Sequence, residues 1–458
     1  MLTGVTRCPL YLLATVAIAL TFCAGCAVRT TADPGAVAER LKAMTGASPR
    51  PPGADAAPVP PGVNVADGLT EDESVEIALW NNPVFQVSLA ELGFARADLL
   101  EAGLLRNPTL SLLFTLGPKQ LEAVLRLPIE VLWERPRRVA AARLSADAAA
   151  ERLVASGLDL VVSVKSSYID AQLAADRQRL AADAAAVLQR IRDLTESRLR
   201  AGDISELEAR IGRADAARAE AEIVRTTQDI ALADARLRAV LGWAVEGPVA
   251  TLVTPALAPI ASGAECGPFG MLYKDALMAR PDVRAAELGV EAAAARLGWE
   301  RSRTLALTAV VDANGSGSEG FEAGPGVDIG LPLFDRNQAG RARATAELQR
   351  ATASYAAAQQ RVAAEIREAA VLIEQARSSQ VAFRDTVARP LEANVASAER
   401  AFAEGETSQL FVLENARRLN EARLREREFD ADRRRARVRM ERAIGRSCEP
   451  NRVELTRD

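Results

Sequence analysis

From Arg137 to Leu241 the chain carries no proline and only three glycines, Gly157, Gly202 and Gly212. The stretch is built from Ala, Leu, Glu, Arg and Gln, the residues that lose least on entering a helix. Apolar side chains recur seven apart at Leu173, Leu180, Val187 and Leu194, and again at Ile223, Ile230 and Leu237. That step belongs to helices packed side by side along their length. Gly202-Asp203-Ile204-Ser205 interrupts it with a helix stop, then an acidic and hydroxyl start signal. The spacing predicts a helical hairpin whose first arm, Arg137 to Arg200, is roughly 90 Å long at 1.5 Å per residue. Ordinary globular helices are far shorter. Such an arm must span something or stand beside copies of itself.

The 458 residues hold no histidine, and only 4% are aromatic. The commonest general base and metal ligand is therefore missing. With a formal net charge of -4, a nucleic-acid partner is not expected. No nucleophile–base pair, phosphate loop or metal-ligand cluster stands out, so neither an enzyme nor a resident metal or other cofactor is expected. No internal apolar run reaches the length of a membrane-spanning helix.

The first residues read as a targeting segment, 1–25, with Arg7 ahead of the apolar run from Leu10 to Leu20. Phe22-Cys23-Ala24-Gly25-Cys26 resembles a bacterial lipoprotein signal, with Cys26 as the acylated, palmitate-bearing residue and Ala27 compatible with passage to the outer membrane. Cys23 departs from that motif, and an ordinary signal peptide cut nearby is the alternative. Two of the remaining cysteines, Cys266 and Cys448, each follow a helical hairpin. In an oxidising compartment they either bond to each other or remain two separate thiols. Residues 26–68 are rich in Pro, Gly and Ala and read as a flexible tether or a surface-wrapping arm.

Two repeats follow, 69–245 and 268–446, joined by a linker, 246–267, and closed by a tail, 447–458. In the first, Thr70 and Glu73 have capping-box spacing. Asn82-Pro83 ends one short helix and starts another. Thr109–Leu116 reads as a strand, Gly117-Pro118 as a turn, and Leu121–Leu127 as a second strand of period two, with Glu122 and Arg126 on its polar face. Arg280-Pro281, Thr304–Val311, Val327–Leu333, Gly405-Glu406-Thr407-Ser408 and Ile444-Gly445 echo these pieces in the second repeat. There Asn314–Ser318 reads as a loop, and a helix is expected from Arg341 to Arg389. Each repeat is thus helix, helix, strand, strand, long helix, tip, long helix: a mainly α chain with a small β part. Two strands per repeat leave open edges, and four per chain cannot close a useful barrel. The strands call for several copies pooled into one barrel.

The order of these pieces, doubled, resembles the TolC-like outer-membrane efflux family across Leu69 to Gly445. Leu331-Pro332-Leu333-Phe334-Asp335-Arg336-Asn337-Gln338 is similar to the strand exit of members serving resistance-nodulation-division pumps, notably the heavy-metal branch. The resemblance implies a homotrimer with a twelve-stranded barrel in the outer membrane and an α-helical tunnel reaching into the periplasm. The duct would be passive, and its partners a periplasmic adaptor and an inner-membrane pump. It implies docking of the adaptor at the two tips, around Gly202, Asp203, Gly405 and Glu406. It also implies a constriction just inside the second tip, with Glu414 nine positions after the tip glycine and Leu410 on the same face. Phe411 stands where some relatives carry a second acid. Arg198 and Arg200 are expected to pair with Glu404 and Glu406 across the closed tips. The duct of a type I secretion system shares this architecture. A periplasmic coiled-coil adaptor or scaffold is a further alternative, disfavoured because each of the two hairpins follows its own strand pair. Cargo (metal ions, drugs or solvents) is not specified by these residues.

Overall fold

The computed structural model describes residues 32–51, 59–114, 121–243, 252–253, 267–315 and 321–446. The chain is mostly helical, with one four-stranded antiparallel sheet at one end and two hairpin tips at the other. In chain order the elements are α1 (Pro34–Thr45), α2 (Glu71–Asn81), α3 (Pro83–Gly103), β1 (Thr109–Leu113), β2 (Leu121–Pro128), α4 (Val131–Ala201) and α5 (Glu206–Leu241). The second repeat follows with α6 (Phe269–Ala279), α7 (Pro281–Ser302), β3 (Ala306–Gly315), β4 (Phe321–Gly330), α8 (Gln338–Phe383), a π-helical turn (Arg384–Ala388), α9 (Arg389–Ala403) and α10 (Gln409–Ile444).

The long first arm exceeds its expected bounds. α4 begins at Val131 and carries Pro136 as its sixth residue, giving 71 residues and about 105 Å. Pro136 lies in the second turn, past the helix-start amides that lack partners, so its missing N–H removes one rung of the ladder there. The seven-residue stripe is only partly covered within one chain: Leu173, Leu180 and Leu237 are buried, while Val187, Leu194, Ile223 and Ile230 are half-buried. The second long arm does not stop at Arg389. It passes through the π turn and Pro390 to Ala403. The missing proline N–H and the ring's crowding of the preceding turn are absorbed where the ladder widens.

The β part is shorter at one point and longer at another than the sequence suggests. The described strand β1 ends at Leu113, whereas Asn314 and Gly315, expected in a loop, close β3. The Gly117-Pro118 turn and Ser316–Ser318 lie outside the described residues, as do Cys26, Cys266 and Cys448.

Residues 34–45, expected in a flexible tether or a surface-wrapping arm, form a helix that packs against the body. Asp33 caps its start and Pro34 opens it. Val37 and Leu41 are buried, and Arg40 pairs with Glu151 of α4. Gly157 makes the seat: a Cβ there would lie 2.7 Å from Leu41 Cδ2 and 3.3 Å from Phe85 Cε2. Gly157→Ala should therefore displace α1 first, because Leu41 lies closer to the added methyl than Phe85 does. Limited proteolysis between Arg50 and Leu69 should accelerate several-fold while helical circular dichroism barely changes.

At mid-length the two repeats close in the same way with different side chains. Asn82, ahead of Pro83, donates from Nδ2 to the Val240 carbonyl at 2.7 Å, two residues before Gly242. Arg280, ahead of Pro281, donates from Nη1 to the Ala443 carbonyl at 3.0 Å, two residues before Gly445. Both glycines end their helices at positive φ, 68° and 73°. Arg280 is 1% exposed and also pairs with Asp282, at 2.7 Å, and with Glu365. Burial, the largest influence on Asp282, favours its neutral form, but the hydrogen bonds and charge of Arg280 more than offset it. The carboxyl is held below its ordinary range. A lowered folded-state pKa stabilises the fold above the unfolded value of about 3.9 and is lost as pH falls through the folded value. Asp282→Asn should therefore flatten the fall in thermal midpoint on acidification below about pH 4.

The inter-repeat linker is pinned at the same level. Leu69 and Leu252 form a parallel bridge. The Tyr168 hydroxyl lies 2.8 Å from the Leu69 carbonyl and 2.9 Å from that of Val253. Burial is the main reason its pKa is pushed up to about 12. The repeats also meet along α4 and α10, where Ile169 and Leu173 pack on Ala431 and Val438. Arg177–Glu428, Arg435–Asp170 and Arg442–Asp159 lace the seam at 2.7, 2.5 and 2.6 Å. Two of these set arginines of α10 against acids of α4, and in the third Arg177 of α4 meets Glu428 of α10.

Candidate functional site

The sheet sorts most of its side chains by character, with all its charges on one face. Its order is β1-β2-β3-β4, antiparallel throughout. The register puts Leu110 opposite Leu125, Leu125 opposite Val311, and Val311 opposite Pro325. Alternation then places Leu110, Leu112, Leu125, Leu127, Val311, Val327 and Ile329 on one face, and all are exposed. The other face holds Thr109, Ser111, Glu122, Arg126, Thr308, Asp312, Asn314, Glu322 and Asp328, with Leu113, Val124 and Val310 among them. Arg126 reaches over β3 to Asp328 at 3.7 Å, so β2 and β4 present their charges on one side. Glu122 and Arg126 thus share the polar face, as their spacing predicts.

A sheet with one apolar face in the open needs an apolar neighbour. β3 and β4 are ten residues each, about 33 Å long. When tilted as barrel strands are, that matches an apolar band about 25 Å tall. No helix among the described residues is long and apolar enough to cross a membrane. β1 and β4 have no strand partner on their outer edges among the described residues.

Below the sheet, a cavity of about 360 Å³ lies where strands become helices, lined by Arg106, Glu130, Glu134 and Arg303. Ala306 and Gly330, at polar-face positions, also line it. Glu130 and Glu134 are buried. Burial raises the pKa of Glu134, partly countered by Arg303 and Arg106. No local pattern signals this arrangement, because a glutamate near a helix start usually faces water.

At the far end both tips have the expected chemistry. Gly202 has φ 81° and Gly405 has φ 76°. Asp203 donates its backbone N–H to the Arg198 carbonyl, and Glu406 to that of Ala401, at 2.9 and 2.8 Å. Ser205 caps α5 in a reciprocal box with Glu208, and Ser408 caps α10 through the Phe411 N–H. Leu207, Ile211, Phe402 and Phe411 stand exposed around the tips. Within one chain the expected pairing of Arg198 and Arg200 with Glu404 and Glu406 is absent among the described residues. Arg213 instead ties the first hairpin to itself, reaching Glu196 at 2.5 Å and Glu206 at 3.3 Å.

Leu410, half-buried, and Glu414 lie one turn apart on α10. Glu414 is 3.2 Å from Arg417, which also holds Glu421 at 2.9 Å. It is an engaged carboxylate, a point that helical i,i+3 spacing could have flagged. Among the described residues no group of three side chains is placed to hold a metal ion.

Residues 75–243 and 272–446 match the family model described as outer membrane efflux protein. The cobalt-zinc-cadmium resistance protein CzcC of Cupriavidus metallidurans is 27% identical over 368 residues, covering 79% of this chain and 86% of that protein. Among solved structures, CusC superposes with a TM-score of 0.66 at 20% identity, over 87% of this chain and 98% of its own. The outer-membrane channel OprN gives 0.67 at 21% identity, over 87% and 96%. The doubled match covers most of the chain, so this protein belongs to the outer membrane efflux protein family and is an outer-membrane efflux channel subunit.

Proposed function

We propose that three copies of this chain close a twelve-stranded barrel through the outer membrane, continued by their hairpins as a tunnel into the periplasm. The observation that carries this reading is the two-faced sheet whose edges are unpaired among the described residues: a lone copy would expose backbone and leucine to water, while β1 of one copy beside β4 of the next pairs the backbone edges and lipid against the outer face covers the leucines. The polar face then lines an aqueous lumen. The likeness to a cobalt-zinc-cadmium resistance protein supports divalent metal cations as cargo.

The exposed apolar side chains around Gly202, Asp203, Gly405 and Glu406 are the surface for a periplasmic adaptor that links the duct to an inner-membrane pump. Leu410, Phe411 and Glu414 form the periplasmic aperture. Cys26 carries the lipid anchor, and Cys266 with Cys448 ties linker to tail. Purified protein in planar bilayers should show long-lived single-channel steps, and its detergent-corrected mass should be that of a trimer. A folded, detergent-free monomer without conductance would end this reading.

A further inference from the structure

The strand register fixes how charge is distributed in the barrel. Glu122 of β2, Asn314 of β3 and Glu322 of β4 are direct neighbours in one row. Asp312 lies two residues along β3 on the same face. That face carries four carboxylates, Glu122, Asp312, Glu322 and Asp328, against the single guanidinium of Arg126. The excess is three negative charges per chain, and so nine on the strand walls of a trimer. Arg126 is spent on Asp328. Glu122, Asp312 and Glu322 have no ion-pair partner among the described residues.

A second observation points the same way. Asp312 Oδ1 and Asn314 Oδ1 are both shielded from solvent and meet no donor. The contact between these side chains is the Asn314 Nδ2 donation to Asp312 Oδ2 at 3.4 Å. Two sheltered acceptors side by side, each lacking a donor, suit a cation or its hydration water.

The tip wall differs. Glu414 is held by Arg417, and from Glu414 to Glu428 α10 carries four carboxylates and five arginines. We propose that the cation preference of the duct is set in the barrel lumen by Glu122, Asp312 and Glu322, and not at the aperture by Glu414. The proposal rests on the trimeric-barrel reading above. Rings of fixed carboxylates in a low-dielectric wall concentrate cations and repel anions.

The test is the reversal potential of reconstituted trimers across a KCl gradient. The unsubstituted channel should be cation-selective. The triple variant E122Q/D312N/E322Q should lower the cation-to-anion permeability ratio by about tenfold, and E414Q should leave it essentially unchanged. An unchanged ratio in the triple variant, or its loss in E414Q alone, would overturn the proposal, as would an unsubstituted channel that conducts without selectivity. An unsubstituted trimer that inserts and never conducts sinks the duct reading itself. Should the triple variant fail to assemble, Asp312→Cys, treated after insertion with a cationic thiol reagent, reads the same quantity. Its ratio should fall on treatment while the unsubstituted channel, treated alike, does not change, and no fall would count against the proposal.

Discussion

Arg280→Ala is expected to lower stability by about 1–3 kcal/mol, because three charge-assisted hydrogen-bonding partners lose their shared donor while the two carboxylates keep some access to water. The guanidinium joins three things that meet only in the folded chain: Asp282 beside it, Glu365 on α8, and the Ala443 carbonyl at the end of α10. Its removal leaves Asp282, Glu365 and the helix-end carbonyl of Ala443 without their shared donor. Arg280→Lys should recover only part, because an ammonium lacks the planar fork that serves both carboxylates. The thermal midpoint of helical circular dichroism in detergent is the readout. Combining Arg280→Met with Asp282→Asn and Glu365→Gln should recover a good part of the loss, since replacing a whole buried ionic set costs far less than breaking it. If the single and triple variants melted alike, the ion network would not be the cause.

Gly242→Ala should be the most damaging glycine substitution among the helix ends. At φ 68° any L side chain meets the left-handed penalty, about 1–2 kcal/mol. Here a Cβ would also lie 2.6 Å from the Asn81 carbonyl oxygen and 2.8 Å from Asn82 Cα. Those are backbone atoms, so no rotamer relieves the contact. Gly202 is a matched control: its φ is 81°, and nothing lies within 4 Å of the point a Cβ would occupy. Gly202→Ala should therefore show the conformational penalty alone. Gly445 falls between them, with Arg280 Cγ at 3.1 Å. The expected order of melting points is Gly202→Ala highest, Gly445→Ala next and Gly242→Ala lowest. Equal losses at all three would mean that the close approach to α2 does not matter.

The long hairpins, their tips and the short capped helices are legible in the sequence because each rests on local chemistry. A proline-free heptad stripe, a glycine at a helix end and a Thr-x-x-Glu box act within a turn or two of themselves. The capping box at Thr70 and Glu73 forms as spaced, with Glu73 Oε2 accepting from the Thr70 amide at 2.9 Å. The two faces of β2 are legible for the same reason. Arg280 is not: beside a proline it looks like one more surface arginine, and only contacts 85 and 163 residues away bury it. The helix at 34–45 is hidden by surrounding prolines, and its seat is Gly157, more than a hundred residues distant in sequence. Glu414 reads as a free acid when its tip is considered alone, yet Arg417 stands in view one turn later. The clasp between Arg213 and Glu196 depends on how two arms lie together, which the tip residues do not encode.

The π turn has a consequence for the direction in which side chains point. Each residue of an α-helix advances about 100° around the axis, and a turn that takes up one extra residue leaves everything beyond it rotated by that amount. α4 runs to its tip with no such slip, whereas α8 and α9 are separated by one at Arg384–Ala388. A side-chain stripe followed along the sequence of α8 is therefore carried round to a different side of α9.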